Sequence, residues 1–252
     1  MKFYDIIKII ELCNSKYFSL GEVKMMLNSL SLTPNAMMEA LEWSYDKAIN
    51  GLPGQKNIYE LVKDYTQNSK NVEEAVNKMV NFQITKAATS GFLTGFGGVM
   101  TLPITVPANV ASVLVVQIRM IAAIAVARGY DPNDDQIQTF IYVVLTGSSM
   151  TDIVKRAGIA FGNKFTTALI KNRVPGVVLT KINRAVGFRL ITKFGQKGVV
   201  NLGKLVPVVG AIIGGSIDTV ATKAIAKKAK ETFTTNGINF DNGRIVIDNQ
   251  NN

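Results

Sequence analysis

The sequence predicts a mainly α fold: a compact multi-helix domain with glycine-rich apolar core helices and a short C-terminal β-hairpin. Three observations carry that expectation. Apolar residues recur at helical spacing near the start, as in Phe3, Ile6, Ile7 and Ile10, which places an apolar stripe along one face of a helix. Thirty-two consecutive residues, Ala87 to Ile118, contain no Asp, Glu, Lys or Arg. Strand signals are confined to the tail, where Asn242-Gly243 lies between two short β-type runs in the manner of a two-residue hairpin turn. A hairpin that small needs something to pack on.

Each helix has local punctuation. Ser19 with Glu22 and Asn71 with Glu74 have capping-box spacing, and Thr33-Pro34 opens another helix. Four or five helices fit before residue 85. Gly51 and the "GLPGQ" stretch supply a stop and a loop. Pro103 and Pro107 break the charge-free run into a first part carrying Gly91, Gly95 and Gly98 and a helix from about Ala108 to Ala127. The turn residues of "RGYDPNDDQ" precede a helix over roughly Gln136 to Leu145. "LVPVVGAIIGGSIDTVATKAIAKKAKETF" reads as a proline-started helix with lysines in its last turn, where they suit the helix dipole. Glycines four apart at 91 and 95, 158 and 162, and 210 and 214 suit close helix contact.

The charge-free run is long enough for a membrane span, since about twenty apolar residues suffice. Its prolines and Arg119 argue otherwise: an arginine near the middle of a lone spanning helix costs about 3 kcal/mol. An apolar hairpin packed inside protein, or inserted shallowly into lipid, fits Gly91, Gly95, Gly98, Pro103 and Pro107 better. Asp218 lies on another apolar helix, where an unpaired ion is costly. Arg119 and Asp218 are therefore expected to pair across the core.

Composition limits the chemistry. The chain has 252 residues, of which 47% are hydrophobic, enough to bury a substantial core. It has no histidine, which excludes Ser-His-Asp and Cys-His sites and the common histidine zinc sites. Cys13 is the single cysteine, forms no internal disulfide, and reads as a packing residue. Asp5, Lys8 and Glu11 interrupt the first residues, so no signal-peptide core is expected there. The glycines near 91 to 98 match no phosphate-binding loop, because no G-x-x-x-x-G-K-[ST] occurs and no strand signal precedes them. Asp131, Asp134 and Asp135 read as turn and cap chemistry rather than as a metal cluster. No catalytic residue, metal site or cofactor is expected, and the protein reads as non-enzymatic.

Charge is distributed unevenly. The formal net charge is +10, and residues 151 to 204 alone hold eleven cations against the single acid Asp152, so the remaining chain sums to zero. The cations are Lys155, Arg156, Lys164, Lys171, Arg173, Lys181, Arg184, Arg189, Lys193, Lys197 and Lys204. The region also holds Phe161, Phe165, Phe188 and Phe194 but no Tyr or Trp and no known nucleic-acid motif, so nucleic acid is disfavoured. Cations interleaved with apolar residues on amphipathic helices fit an anionic lipid surface, each worth about 1 kcal/mol near it.

Taken in order, "KAATSGFLTGFGGVMTLPITVPANVASVLVVQIRMIAAIA", "GYD" and "TKINRAVGFRLITKFGQKGVVNLGKLVPVVGAIIGGSIDTVATKAIAKKAKETF" resemble the EcsC family of bacterial proteins. The similarity begins near "WSYDKAINGLPG" and runs to Phe233, about three quarters of the chain. Pro103, Pro107, Arg119, Lys193, Gly195, Lys204, Pro207, Gly210 and Asp218 lie in matching motifs. The resemblance implies a helical, membrane-associated protein without an established enzymatic activity, in a family named for a gene neighbour of an ABC transporter. It divides the chain into an N-terminal helical extension (1–42), an EcsC-like helical domain (43–233) and a tail (234–252).

Residues and resemblance together give the functional expectation. The protein sits in the cytoplasm, peripheral at the inner face of the cell membrane. It docks on anionic lipid through the basic face and inserts an apolar helix or hairpin shallowly, with a membrane or transporter protein as a further partner. Two rivals use the same apolar helices: a soluble carrier of acyl chains or another apolar ligand, and a membrane-acting effector or pore former.

Overall fold

The computed structural model describes residues 33–88, 108–159, 174–202, 210–240 and 243–245, with side chains over 33–85, 110–159, 174–194 and 221–239, and Thr33 and Pro34 open the first helix among them. Eight helices occur among them: α1 (Pro34–Asn50), α2 (Ile58–Gln67), α3 (Val72–Ala88), α4 (Ala108–Ala127), α5 (Asp135–Thr146), α6 (Met150–Arg156), α7 (Gly176–Leu202) and α8 (Gly210–Thr232). Three short strands follow, β1 (Phe233–Thr234), β2 (Gly237–Phe240) and β3 (Gly243–Ile245). The mainly α expectation holds.

Side-chain caps set the helix ends. Thr33 Oγ1 accepts from the Ala36 amide at 3.1 Å, and Pro34 occupies the first turn, where its missing N–H costs nothing. Helix α1 stops at Gly51, whose φ of 84° favours glycine; a Cβ there would lie 2.8 Å from the carbonyl oxygens of Gln55 and Lys56. Asn57 and Glu60 cap α2 reciprocally, a box the sequence reading passes over. Asn71 accepts from the Glu74 amide at 2.9 Å at the start of α3. Asp134 caps α5 by accepting from the amides of Gln136 and Ile137.

Helix α4 is the hub: α1, α2, α3, α5 and α8 all pack on it. By length and composition Val110–Ala127 could cross a membrane, with a mean hydropathy of 2.2, yet 83% of it is buried inside the protein. Leu114, Ile118, Ile121 and Ile124 are fully enclosed. Helix α7 packs against α1, α5 and α6. The expected boundary between the extension ending at residue 42 and the domain starting at residue 43 falls inside α1, which buries residues from Ala36 to Ile49 on both sides of it.

One expectation needs correction. Gly158 makes no helix contact of the small-xxx-small kind; it follows α6 with φ 69°, and its amide and that of Ile159 donate to the carbonyls of Lys155 and Val154 as a helix terminator. The expected C-terminal hairpin is present as the antiparallel pair β2–β3, and β1, which continues directly from α8, pairs with β2 and extends it to a three-stranded sheet. The β2–β3 register pairs Phe240 with Gly243, one position off a turn centred on Asn242-Gly243. Phe233 and Ile238 are fully buried, and the Phe233 ring lies 5.5 Å from Tyr130, which gives the sheet its support.

Candidate functional site

The basic region centres on α6 and α7, which pack together. Lys155 and Arg156 close the last turn of α6, where cations complement the helix dipole, and both are exposed. Lys181 and Arg184 are exposed on α7. Arg189 and Lys193 are half-buried: Arg189 Nε donates to Ser148 Oγ at 3.1 Å, and Lys193 Nζ donates to the Leu145 carbonyl at 3.1 Å and sits 5.5 Å from the Phe194 ring centre. These two hold α7 onto the end of α5. Lys164, Lys171, Arg173 and Lys204 lie outside the described residues, as does the Lys197 side chain.

Helix α7 has two distinct faces. Ile182, Val186 and Leu190 are buried against the core. Gly187 lets α1 approach closely, since a Cβ there would lie 3.1 Å from the Met38 sulfur. On the outer side Val177 is 71% and Phe188 53% exposed, and Lys181 and Arg184 lie between them. The steps from 177 to 181, 184 and 188 are four, three and four residues, which a helix stacks on one side. That spacing was available to sequence reasoning, which noted Phe188 but not the stripe.

Arg119 is buried in the hub. It donates from Nη1 to the Ala48 carbonyl at 2.7 Å and from Nη2 to the Lys56 carbonyl, and burial lowers its pKa from the ordinary arginine value. Among the described residues no carboxylate pairs with it; the Asp218 side chain lies outside them. Gln117, also buried on α4, donates to Thr222 of α8 at 3.3 Å. Arg128, at the end of α4, donates to the carbonyls of Lys230 and Phe233 and pairs with Glu73 at 2.6 Å. Gly91, Gly95, Gly98, Pro103 and Pro107 lie outside the described residues.

The acidic turn before α5 is structural. Asp131 accepts from the Tyr59 hydroxyl at 3.0 Å and the Asn133 amide at 2.9 Å, while the Tyr45 hydroxyl donates to the Pro132 carbonyl at 2.6 Å. Desolvation and then the bond to Asp131 push the Tyr59 pKa up to about 12; burial drives Tyr45 further up. Among the described residues no group of His, Cys, Asp and Glu could hold a metal ion. A cavity of about 10 Å³ lined by Phe140, Val144, Met150 and Lys228 has room for about one water.

Comparison with known proteins finds one family whose model covers most of the chain. The model of the EcsC protein family matches residues 22–235, a span that begins ahead of α1 and ends in the sheet. The chain is 28% identical over 162 residues to uncharacterized protein YdbA of Bacillus subtilis (strain 168), which covers 64% of this chain and 56% of that one. The chain thus spans about half the length of this relative. No solved structure matches the chain.

Proposed function

The chain belongs to the EcsC protein family, and we propose that it is a non-enzymatic peripheral membrane protein that docks on anionic lipid through α6 and α7. The observation that carries this reading is the exposure of Lys155, Arg156, Lys181 and Arg184 in a region whose one acid is Asp152. Near an anionic surface each such cation contributes about 1 kcal/mol, so four together give reversible attachment without a lipid anchor or a spanning helix. The contact is screened within about 10 Å at ordinary ionic strength. The cytoplasmic face of the cell membrane, rich in anionic lipid, is the surface this chemistry suits.

Vesicle flotation tests the reading. The full chain should float with phosphatidylglycerol-containing vesicles at low salt, leave them as salt rises, and stay behind with phosphatidylcholine alone. Equal absence from both vesicle types, or binding indifferent to salt, would remove the proposal.

A further inference from the structure

We infer that the outer stripe of α7 is a membrane-penetrating edge: Val177 and Phe188 enter the acyl boundary of an anionic bilayer while Lys181 and Arg184 hold its headgroups. This rests on the docking reading and adds to it a specific wedge, separate from the charge-free segment around Gly91 to Pro107. Val177 and Phe188 are the two most exposed large hydrophobic residues among those described, ahead of Tyr59 at 42%. They sit eleven residues apart on one side of the helix, about 16 Å at 1.5 Å per residue, with the exposed cations Lys181 and Arg184 between them.

That order of side chains fits a lipid interface. A phosphate-only ligand would gain from Lys181 and Arg184 but nothing from burying Val177. At a bilayer surface the lysine and arginine stems lie along the apolar boundary with their charged ends at the headgroups, while the flanking valine and phenylalanine leave water. No acid occurs anywhere in α7, so nothing on the helix opposes an anionic surface, and Lys155 and Arg156 of the neighbouring α6 extend the positive field. The wedge is also held firmly. Arg189 and Lys193 fasten α7 to the end of α5, and Gly187 lets it lie close on α1.

A tryptophan at the wedge reads its depth. Trp43 is the chain's single tryptophan, so Trp43→Phe combined with Phe188→Trp leaves one reporter in the full chain. With phosphatidylglycerol vesicles whose acyl chains are brominated, emission should shift to the blue and fall about twofold or more, with no change on phosphatidylcholine. A protein that floats with the vesicles while its tryptophan stays unshifted and unquenched would overturn the wedge and leave docking intact. Failure to float at all would sink both. A blue shift that appears without lipid and grows with protein concentration would assign the stripe to contact between two copies of this chain. As a second variant, Val177→Ser with Phe188→Ser should weaken vesicle binding about tenfold at unchanged thermal stability; unchanged binding would contradict the inference.

Discussion

Arg119, Arg128 and Lys193 share one task. Arg119 donates to Ala48 near the end of α1, Arg128 to Lys230 near the end of α8, and Lys193 to Leu145 near the end of α5. The last carbonyls of a helix have no partner within it and carry the negative end of its dipole, so a cation from a neighbouring helix satisfies both needs. This explains how Arg119 can sit in an apolar hub with no carboxylate beside it among the described residues. Sequence reasoning correctly marks Arg119 as a charge that needs a partner. It cannot see backbone carbonyls, which every residue type carries equally, while the partner it expects, Asp218, has its side chain outside the described residues. Arg119→Met leaves the Ala48 and Lys56 carbonyls without their donor and should cost about 2 kcal/mol or more, read from urea unfolding, whereas Lys181→Met on the exposed face should cost close to nothing. Equal losses in the two variants would refute the capping role.

Among the elements, α4 was the most legible. Its bounds, Ala108 and Ala127, are those the sequence suggests, because Pro107 bars an earlier start and Gly129, with φ 88°, marks the stop. Thr33-Pro34 and the turn before α5 were equally readable, since each is written in residues with one dominant local conformation. The tail was read only in part. Thr234 pairs with Gly237 and Phe240 with Gly243, so both glycines begin a returning strand, and the first turn lies between residues joined directly to α8. Helical lysines run up to that point and mask the strand, although Asn236-Gly237 was there to signal it. The loop after α1 offers a quantitative check on backbone chemistry. Gly51→Ala must place its Cβ 2.8 Å from two carbonyl oxygens at positive φ, while Gly147, also at positive φ, has open space around it. Thermal unfolding should therefore show a loss of about 2 kcal/mol or more at position 51 and about 1 kcal/mol at position 147; the reverse order would be incompatible with the loop geometry.

For the whole molecule, the key division is between cations that hold it together and cations left facing outward. The sequence shows that the excess of charge lies between residues 151 and 204, but not which of those side chains α5 claims. Arg189 and Lys193 turn in because Ser148 and Leu145, at the end of α5, lie beside α7 and need donors. Lys155, Arg156, Lys181 and Arg184 stay out, the last two on the side of α7 that carries the exposed Val177 and Phe188, and these form the described part of the surface that the docking account uses. The apolar segment with Gly91, Gly95, Gly98, Pro103 and Pro107 remains an expectation of the sequence, as do the cations at 164, 171, 173, 197 and 204.

The most direct measurement compares two fourfold charge reversals that leave the same net charge. In one, Lys155, Arg156, Lys181 and Arg184 become glutamate; in the other, the exposed Lys63, Lys70, Lys223 and Lys227 do. Partition onto phosphatidylglycerol vesicles at matched salt should fall about a hundredfold or more in the first and far less in the second, with both proteins folded by circular dichroism. Equal losses would mean that overall charge rather than the face of α6 and α7 draws the protein to lipid, and the account would be wrong.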